Sequence, residues 1–360
     1  MTKVLFTGGG SAGHVSVNVA LIPEFKKHGY DISYIGSKKG IEKEMIEKIS
    51  DVKYYAISSG KLRRYFSWEN FVDPFKVLKG IFDSYRILRK ERPDFVFSKG
   101  GFVSVPVCIA AKLLKIPTAL HESDLTPGLA NKINIRFCNH IFTTFEDTLK
   151  YLPKEKASLI GAIVRDDIYK GKKEQGYQFL GFDSSKPTIL VMGGSLGAKV
   201  LNDYIFNNIS QLTEKYQVVH LVGKGLVNKE LNTPGYRQFE FLSEQLFDIF
   251  SITDFTISRA GSNSIYEYLA LNIPSILVPL GINQSRGDQI ENAKFFEKNN
   301  FSKVVAEEEL SNFTVSDLDE FYNNLAFYKE SMTNYKKEKA VINSVETFYE
   351  KILNVLGGNK

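Results

Sequence analysis

The stretch KVLFTGGGSAGH, residues 3–14, decides the fold. A short β-branched and aromatic run enters three consecutive glycines. An amphipathic helical pattern then spans 15–27, and Gly29 stops it. Gly8, Gly10 and Gly13 fit G-x-G-x-x-G, a loop that brings backbone N–H groups to an anion at a helix N-terminus. A dinucleotide site also needs an acid about 20 residues on, at the tip of the second strand, to hold the ribose. That strand, at 32–35, runs out through Gly36-Ser37-Lys38 with no acid. The nicotinamide reading is weakened, while a phosphate-bearing ligand is retained. His14 falls in the first turn of the helix, where the helix dipole favours a neutral imidazole, as a general base requires. A capping or packing histidine is the alternative.

Outward from this loop the same rhythm repeats. Strands are expected at 53–57, 95–98, 118–121 and 141–144, with helices at 41–49, 74–90 and up to Leu114. A polar stretch through Ser185, rich in Lys and Gly, reads as a linker. A second glycine-terminated strand follows at 188–192, then a helix from about Ala198. Further strands are expected at 218–222, 239–242, 255–258 and 275–279. Strands alternating with helices indicate parallel sheets covered on both faces. The expected class is α/β, with two Rossmann-like doubly wound domains, 1–163 and 164–360, facing a cleft. The C-terminal helix is free to pack back on the first domain.

Composition bounds the chemistry. The chain has 360 residues, 43% hydrophobic and 24% charged, as in a folded globular protein. Two Cys and five His leave no disulfide framework and few metal ligands, so neither metal nor cofactor is expected. No stretch is long and apolar enough for a membrane span, and no export signal is visible. Charge is divided unevenly. Residues 1–163 carry 25 Lys+Arg against 16 Asp+Glu, a net +9; residues 164–360 carry 21 against 25, a net −4. The first half is therefore the one suited to an anionic partner, nucleic acid or membrane.

The second loop, Gly193-Gly194-Ser195-Leu196-Gly197-Ala198, places Ser195 at a helix start where it suits a phosphate. Another strand-to-helix entry runs from Ser258 to Glu267. Ser262, Asn263 and Ser264 are N-cap types there, and Glu267, one turn in, can accept hydrogen bonds from a ribose diol. Gly287-Asp288-Gln289 opens the next helix with side chains able to read sugar hydroxyls. Residues 53–99 hold 11 Lys+Arg against 5 Asp+Glu and include KLRRYFSW at 61–68. Phe75, Leu78, Ile81 and Phe82 recur at helical spacing among Lys76, Lys79, Arg86, Arg89 and Lys90. A basic amphipathic segment of this kind suits an anionic lipid surface; a core-facing helix is the alternative.

Taken together and in order, residues 7–14, His121-Glu122, 127–132, 193–198 and 259–267 resemble the bacterial peptidoglycan N-acetylglucosaminyltransferase family. The resemblance implies a GT-B fold without a cofactor. It implies inverting transfer of GlcNAc from UDP-GlcNAc to the muramyl 4-hydroxyl of undecaprenyl-pyrophosphoryl-MurNAc-pentapeptide, lipid I becoming lipid II. It implies a peripheral enzyme on the cytoplasmic face of the cell membrane. Other cell-wall synthesis proteins are candidate partners, and nucleic acid is not expected. The first domain would hold the lipid-linked acceptor, the second the nucleotide sugar. Carried over residue by residue, His14 is the candidate base and Glu122 a second one. Ser11, Ala12 and Gly13 flank the substrates. Ser195 and Arg165 contact the diphosphate, Ser262, Asn263 and Ser264 line that pocket, and Glu267 binds the ribose. Leu242 flanks the uracil and Gln289 binds sugar hydroxyls. The chain departs from the family at Ser11-Ala12, at Ser123-Asp124 after His121-Glu122, and at Ala162-Ile163 after Gly161. A UDP-GlcNAc 2-epimerase or another UDP-sugar enzyme is the runner-up; a nicotinamide-dependent oxidoreductase is the alternative outside this class.

Overall fold

The computed structural model describes residues 2–11, 13–60, 69–194, 197–282 and 287–357. The chain divides into two compact units. One comprises Met1–Ile163 with Asn343–Lys360, the other Val164–Ile342.

The first unit opens β1 (Lys3–Thr7), α1 (Gly13–Lys27), β2 (Asp31–Ser37), α2 (Ile41–Ile46), β3 (Val52–Ile57) and α3 (Glu69–Glu91). It continues β4 (Phe95–Ser98), α4 (Ser104–Leu113), β5 (Thr118–Glu122), α5 (Leu129–Asn134), β6 (His140–Thr143), β7 (Ala157–Leu159) and β8 (Ala162–Ile163). Seven strands form a parallel sheet ordered β3-β2-β1-β4-β5-β6-β7. Alternation in β1 explains the two layers. Val4 and Phe6 pack with Phe25, Phe97 and the C-terminal Phe348 on one face. Leu5 packs with Leu88, Val96 and Val107 on the other. Both faces are covered, so the strands read as continuous apolar runs.

The second unit comprises α6 (Lys173–Leu180), β9 (Thr188–Met192), α7 (Lys199–Lys215), β10 (Gln217–Leu221), β11 (Tyr236–Phe239) and α8 (Gln245–Ile252). Then follow β12 (Phe255–Ser258), α9 (Ser262–Leu271), β13 (Ser275–Leu277), α10 (Asp288–Lys298), β14 (Ser302–Val304), α11 (Val315–Asn323) and α12 (Leu325–Glu338). Its six strands are parallel, ordered β11-β10-β9-β12-β13-β14. The chain then re-enters the first unit through β15 (Ile342–Asn343) and α13 (Val345–Gly357). Asn343 donates to the carbonyls of Ile160 (2.6 Å) and Ala162 (3.3 Å), fixing the return.

Three expectations need correction. The stretch through Ser185 is folded rather than a linker: a 3₁₀ turn at Asp166–Lys170 and α6 pack against α8. Its glycines permit close approach, because a Cβ on Gly171 would collide with the Phe247 carbonyl and one on Gly176 would come 2.6 Å from the Asp248 carbonyl. The strand expected at 239–242 lies at Tyr236–Phe239, so Leu242 falls in the loop beyond it. The helix expected from Pro74 starts at Glu69. Four short strands were not legible: β8 and β15 have two residues each and pair with one another. β7 and β14 have three residues each and lie on sheet edges, too short to show alternation.

Candidate functional site

In each sheet the strand order reverses once, between β1 and β4 and between β9 and β12. Ligands of open parallel sheets bind beyond the carboxyl ends of strands at such a switch point. The glycine loops stand at these positions.

In the first unit the loop after β1 meets a second glycine loop after β4, which the sequence reading did not single out. Gly100 and Gly101 both take left-handed backbone, with φ of 96° and 80°. A Cβ on Gly101 would collide with the Gly9 carbonyl, so the two loops touch backbone to backbone. Scaffold side chains hold them there. Asn18 donates to the Thr7 carbonyl (3.1 Å), and the Tyr34 hydroxyl donates to that of Gly8 (2.8 Å). Burial pushes the Tyr34 phenol far above its ordinary range. Glu42, fully buried at the start of α2, accepts from the backbone N–H of Gly10 (3.2 Å) and of Ser37 (2.9 Å). It was not legible in the sequence, because nothing in the spacing shows that α2 turns its acid back onto the loop.

The α1 helix leaves from Gly13, and the His14 backbone N–H donates to the Ser11 carbonyl at 3.1 Å. Ser11 and Gly13 are exposed, and His14 is half-buried. Ala12 lies outside the described residues. Glu122 ends β5 and is buried. Its Oε1 accepts from the Asp124 N–H (3.0 Å), and its Oε2 from the Gly128 N–H (3.1 Å) and the Asn131 amide (2.8 Å). Lys99, 1% exposed, donates to the Ser123 hydroxyl at 2.7 Å. Burial pulls the Lys99 pKa down, and the charges of Glu122 and then Asp124 oppose that. His121, donor or acceptor to the Thr144 hydroxyl at 3.1 Å, is held neutral by burial first and by the Lys99 charge second.

In the second unit Gly193, Gly194 and Gly197 carry the loop from β9 to α7. A Cβ on Gly197, at φ 75°, would collide with the Val222 carbonyl. Ser195 lies outside the described residues. After β12 the chain enters α9 through Gly261, which is the N-cap position and supplies no capping side chain. Ser262, Asn263 and Ser264 therefore sit within the first turn rather than at the cap. Beyond Gly261, where a side chain would project, the space is open. One turn further, Glu267 is half-buried and makes no hydrogen bond or ion pair among the described residues. Burial raises its carboxyl to about 7, against the pull of the nearby Arg165 guanidinium. Arg165 stacks 5.2 Å over the Phe247 ring and leaves its charge exposed.

Arg259, also unremarked as a lone residue, ties this loop down. It donates to the Val278 carbonyl (3.0 Å) and to Glu307 (2.8 Å), both partners being buried around it. Gln289 opens α10, and its amide oxygen accepts from the Leu280 N–H at 3.1 Å. Leu242 is buried in the loop after β11. Thus Arg165, Glu267 and the first turn of α9 form one cluster, while Gln289 belongs to the neighbouring β13–α10 connection. Among the described residues no group of three or more His, Cys, Asp or Glu is placed to hold a metal.

Two doubly wound parallel sheets, each with a glycine loop at its switch point, are the fold of GT-B enzymes that act on nucleotide sugars. Residues 4–143 match the glycosyltransferase family 28 N-terminal domain and residues 188–346 its C-terminal domain. A Staphylococcus saprophyticus protein named UDP-N-acetylglucosamine–N-acetylmuramyl-(pentapeptide) pyrophosphoryl-undecaprenol N-acetylglucosamine transferase is 56% identical over 95% of this chain and 99% of its own length. A Staphylococcus aureus protein of the same name is 56% identical over 92% and 96%. The chain belongs to glycosyltransferase family 28 and to its peptidoglycan N-acetylglucosaminyltransferases. Among solved structures, Acinetobacter baumannii MurG superposes with TM-score 0.77 at 23% identity, covering 99% of this chain and 100% of its own. A Neisseria meningitidis UDP-GlcNAc 2-epimerase reaches 0.67 at 16%, covering 100% of both chains, so the fold alone does not separate the two activities.

Proposed function

We infer that this chain transfers N-acetylglucosamine from UDP-GlcNAc to the muramyl hydroxyl of a pyrophosphoryl-undecaprenol acceptor bearing the pentapeptide. The observation that carries this is the 56% identity, over nearly the whole length, to transferases of that name. In the reaction the acceptor 4-hydroxyl oxygen attacks C1 of the GlcNAc and loses its proton. The C1–O bond to the diphosphate breaks, and UDP leaves with the electron pair.

His14 is our candidate for the group that takes the proton. It sits at the mouth of a loop whose backbone is fixed by Asn18, Tyr34 and Glu42, so its position is preorganised. Glu122 is a positioning residue in this reading: all the donors around it come from its own loop, and it holds the β5–α5 connection. The Arg165 guanidinium, the α9 N-terminus and the Gly193–Gly194 loop would stabilise the diphosphate electrostatically. Ser195 would join them. Ser262, Asn263 and Ser264 would line the same pocket, and Glu267 would accept from both ribose hydroxyls. Leu242 would flank the base and Gln289 would read the sugar. The deciding assay is UDP release from UDP-GlcNAc with and without a lipid-linked muramyl acceptor. Acceptor-dependent release supports the transfer; acceptor-independent conversion of UDP-GlcNAc would mark an epimerase.

The membrane face belongs to the same proposal. On α3 the apolar stripe is not core: Phe75, Leu78 and Phe82 are 73%, 63% and 61% exposed. The core-facing positions are Gly80, Ser84 and Leu88. An exposed apolar stripe rimmed by Lys79, Arg86, Arg89 and Lys90 fits peripheral docking on anionic lipid. No described helix is long and apolar enough to cross a membrane. The 61–68 segment lies outside the described residues. Phe75→Ser with Phe82→Ser should abolish co-sedimentation with anionic vesicles; unchanged sedimentation would refute the assignment.

A further inference from the structure

The end of β10 carries a buried polar chain that plays no part in the chemistry proposed above. The Tyr236 hydroxyl of β11 lies 3.0 Å from His220 Nδ1 on β10, and His220 Nε2 lies 3.0 Å from the side-chain oxygen of Asn202 on α7. The Asn202 amide nitrogen donates to the Val222 carbonyl at 2.9 Å. His220 is fully buried, and Tyr236 and Asn202 are 3% and 4% exposed. Phe206 packs beside the imidazole, with ring centres 5.5 Å apart.

The direction of each hydrogen bond in this chain fixes the next. A carbonyl only accepts, so the amide group turned to Val222 is the NH2, and the Asn202 oxygen faces the ring. His220 Nε2 therefore carries the proton and donates, and Nδ1 accepts from the Tyr236 hydroxyl. Burial lowers the ring pKa to about 3, so the imidazole is neutral near pH 7. An apolar side chain could fill the same space, but it would leave the Asn202 amide free to turn over. The N–H of the ring is what points the amide N–H at Val222.

The Val222 carbonyl is where the glycine loop between β9 and α7 closes. A Cβ on Gly197 would collide with that oxygen, and the Gly197 N–H donates to the Gly194 carbonyl at 2.9 Å. Asn202 also ties down the start of the helix, its backbone N–H donating to the carbonyl of Ala198, the N-cap residue, at 2.9 Å. We propose that His220 is a positioning residue for the nucleotide diphosphate: by orienting Asn202 it holds the Val222 carbonyl against Gly197 and keeps the glycine loop in its phosphate-binding shape. The inference rests on the diphosphate role given to this loop above and adds the buried group that preorganises it.

Calorimetry with UDP and with uridine separates positioning from mere support of the fold, because only UDP brings phosphates to the loop. His220→Phe should lose about tenfold in UDP affinity, the scale of one misdirected buried hydrogen bond, and keep its uridine affinity. His220→Gln, whose amide N–H can stand in for the Nε2–H, should recover most of that loss. Asn202→Ala leaves β10 intact and carries the same test should His220→Phe not fold; it too should weaken UDP and spare uridine. The double variant should bind UDP no worse than the weaker single, since both remove the same link. Equal losses of UDP and uridine affinity overturn the proposal, as do unchanged UDP affinity in both single variants and losses that add in the double. Wild type that binds uridine as tightly as UDP defeats the diphosphate role of the loop itself, and the proposal with it, a result distinct from the others.

Discussion

The two switch points share a geometry and differ in what is left over. In the first unit the charged side chains around the glycine loops have partners within the unit. Glu42 takes the Gly10 N–H, Glu122 takes three donors, and Lys99 is spent on Ser123. In the second unit the loop after β12 has an uncapped helix start, open space at Gly261, a carboxyl with no hydrogen bond or ion pair among the described residues and a stacked, exposed guanidinium. A site whose groups are already paired is a rigid mount for one reactive side chain. A site with unspent donors and acceptors is a receptor for a small polar ligand. The charge division sharpens the same contrast, because the basic half carries the exposed α3 face and the acidic half carries the Arg165–Glu267 cluster.

The largest expected effect tests the mount. His14→Ala should lower turnover by about 10²–10⁴-fold, the contribution of a positioned general base. UDP-GlcNAc affinity should stay near wild type, because the residues proposed to hold the donor belong to the second unit. Near-normal turnover in a steady-state assay would sink the assignment of His14.

Next in size is the buried charge beneath the loops. Lys99→Met leaves Glu122 and Asp124 without the cation that faces them. It also removes the hydrogen bond to Ser123, and a hydrogen bond from a charged group contributes about 1–3 kcal/mol. The unfolding transition of the first unit in urea should move to lower concentration, and Lys99→Met/Asp124→Asn should recover part of the loss. A single variant as stable as wild type would show that the first site is less self-contained than its hydrogen bonds indicate.

The receptor half is tested by Glu267→Ala, which should weaken UDP binding by about 1–3 kcal/mol in calorimetry. Unchanged affinity would count against the ribose role and remove the main difference between the two sites.

Which parts were legible in the sequence follows from how local each signal is. The strand–glycine–helix pattern is written in consecutive residues, so β1, β4, β9 and β12 lie where the alternation of apolar runs and turns places them. Glu267 was legible because a helix turn fixes its distance from the strand end. Glu42, Lys99 and Arg259 were not, because each acts on a segment distant in sequence and nothing in its neighbourhood marks the target. Asp124 shows the limit most sharply. As a departure from the family pattern it had no explanation, until the fold placed it in the field of the buried Lys99. The 164–185 stretch failed for another reason: glycine for close packing and glycine for flexibility are the same letter.

The smallest expected effect reads the comparison through pH. The Glu267 carboxyl, raised to about 7 by burial, is partly protonated at neutral pH in the free protein. Two ribose hydroxyls that donate to it favour the ionised form, so binding should lower its pKa and release a fraction of a proton. UDP affinity should therefore rise by less than about tenfold between pH 6 and 8, since one pKa unit corresponds to about 1.4 kcal/mol. The same raised pKa makes the folded second unit bind protons that the unfolded chain has already lost above its ordinary 4.5. Stability from this group therefore falls as pH climbs from that value to about 7. Glu267→Gln should flatten both profiles. Calorimetry in two buffers of different ionisation enthalpy isolates the proton, and a heat independent of buffer at pH 7 would show that the carboxylate does not take up the ribose.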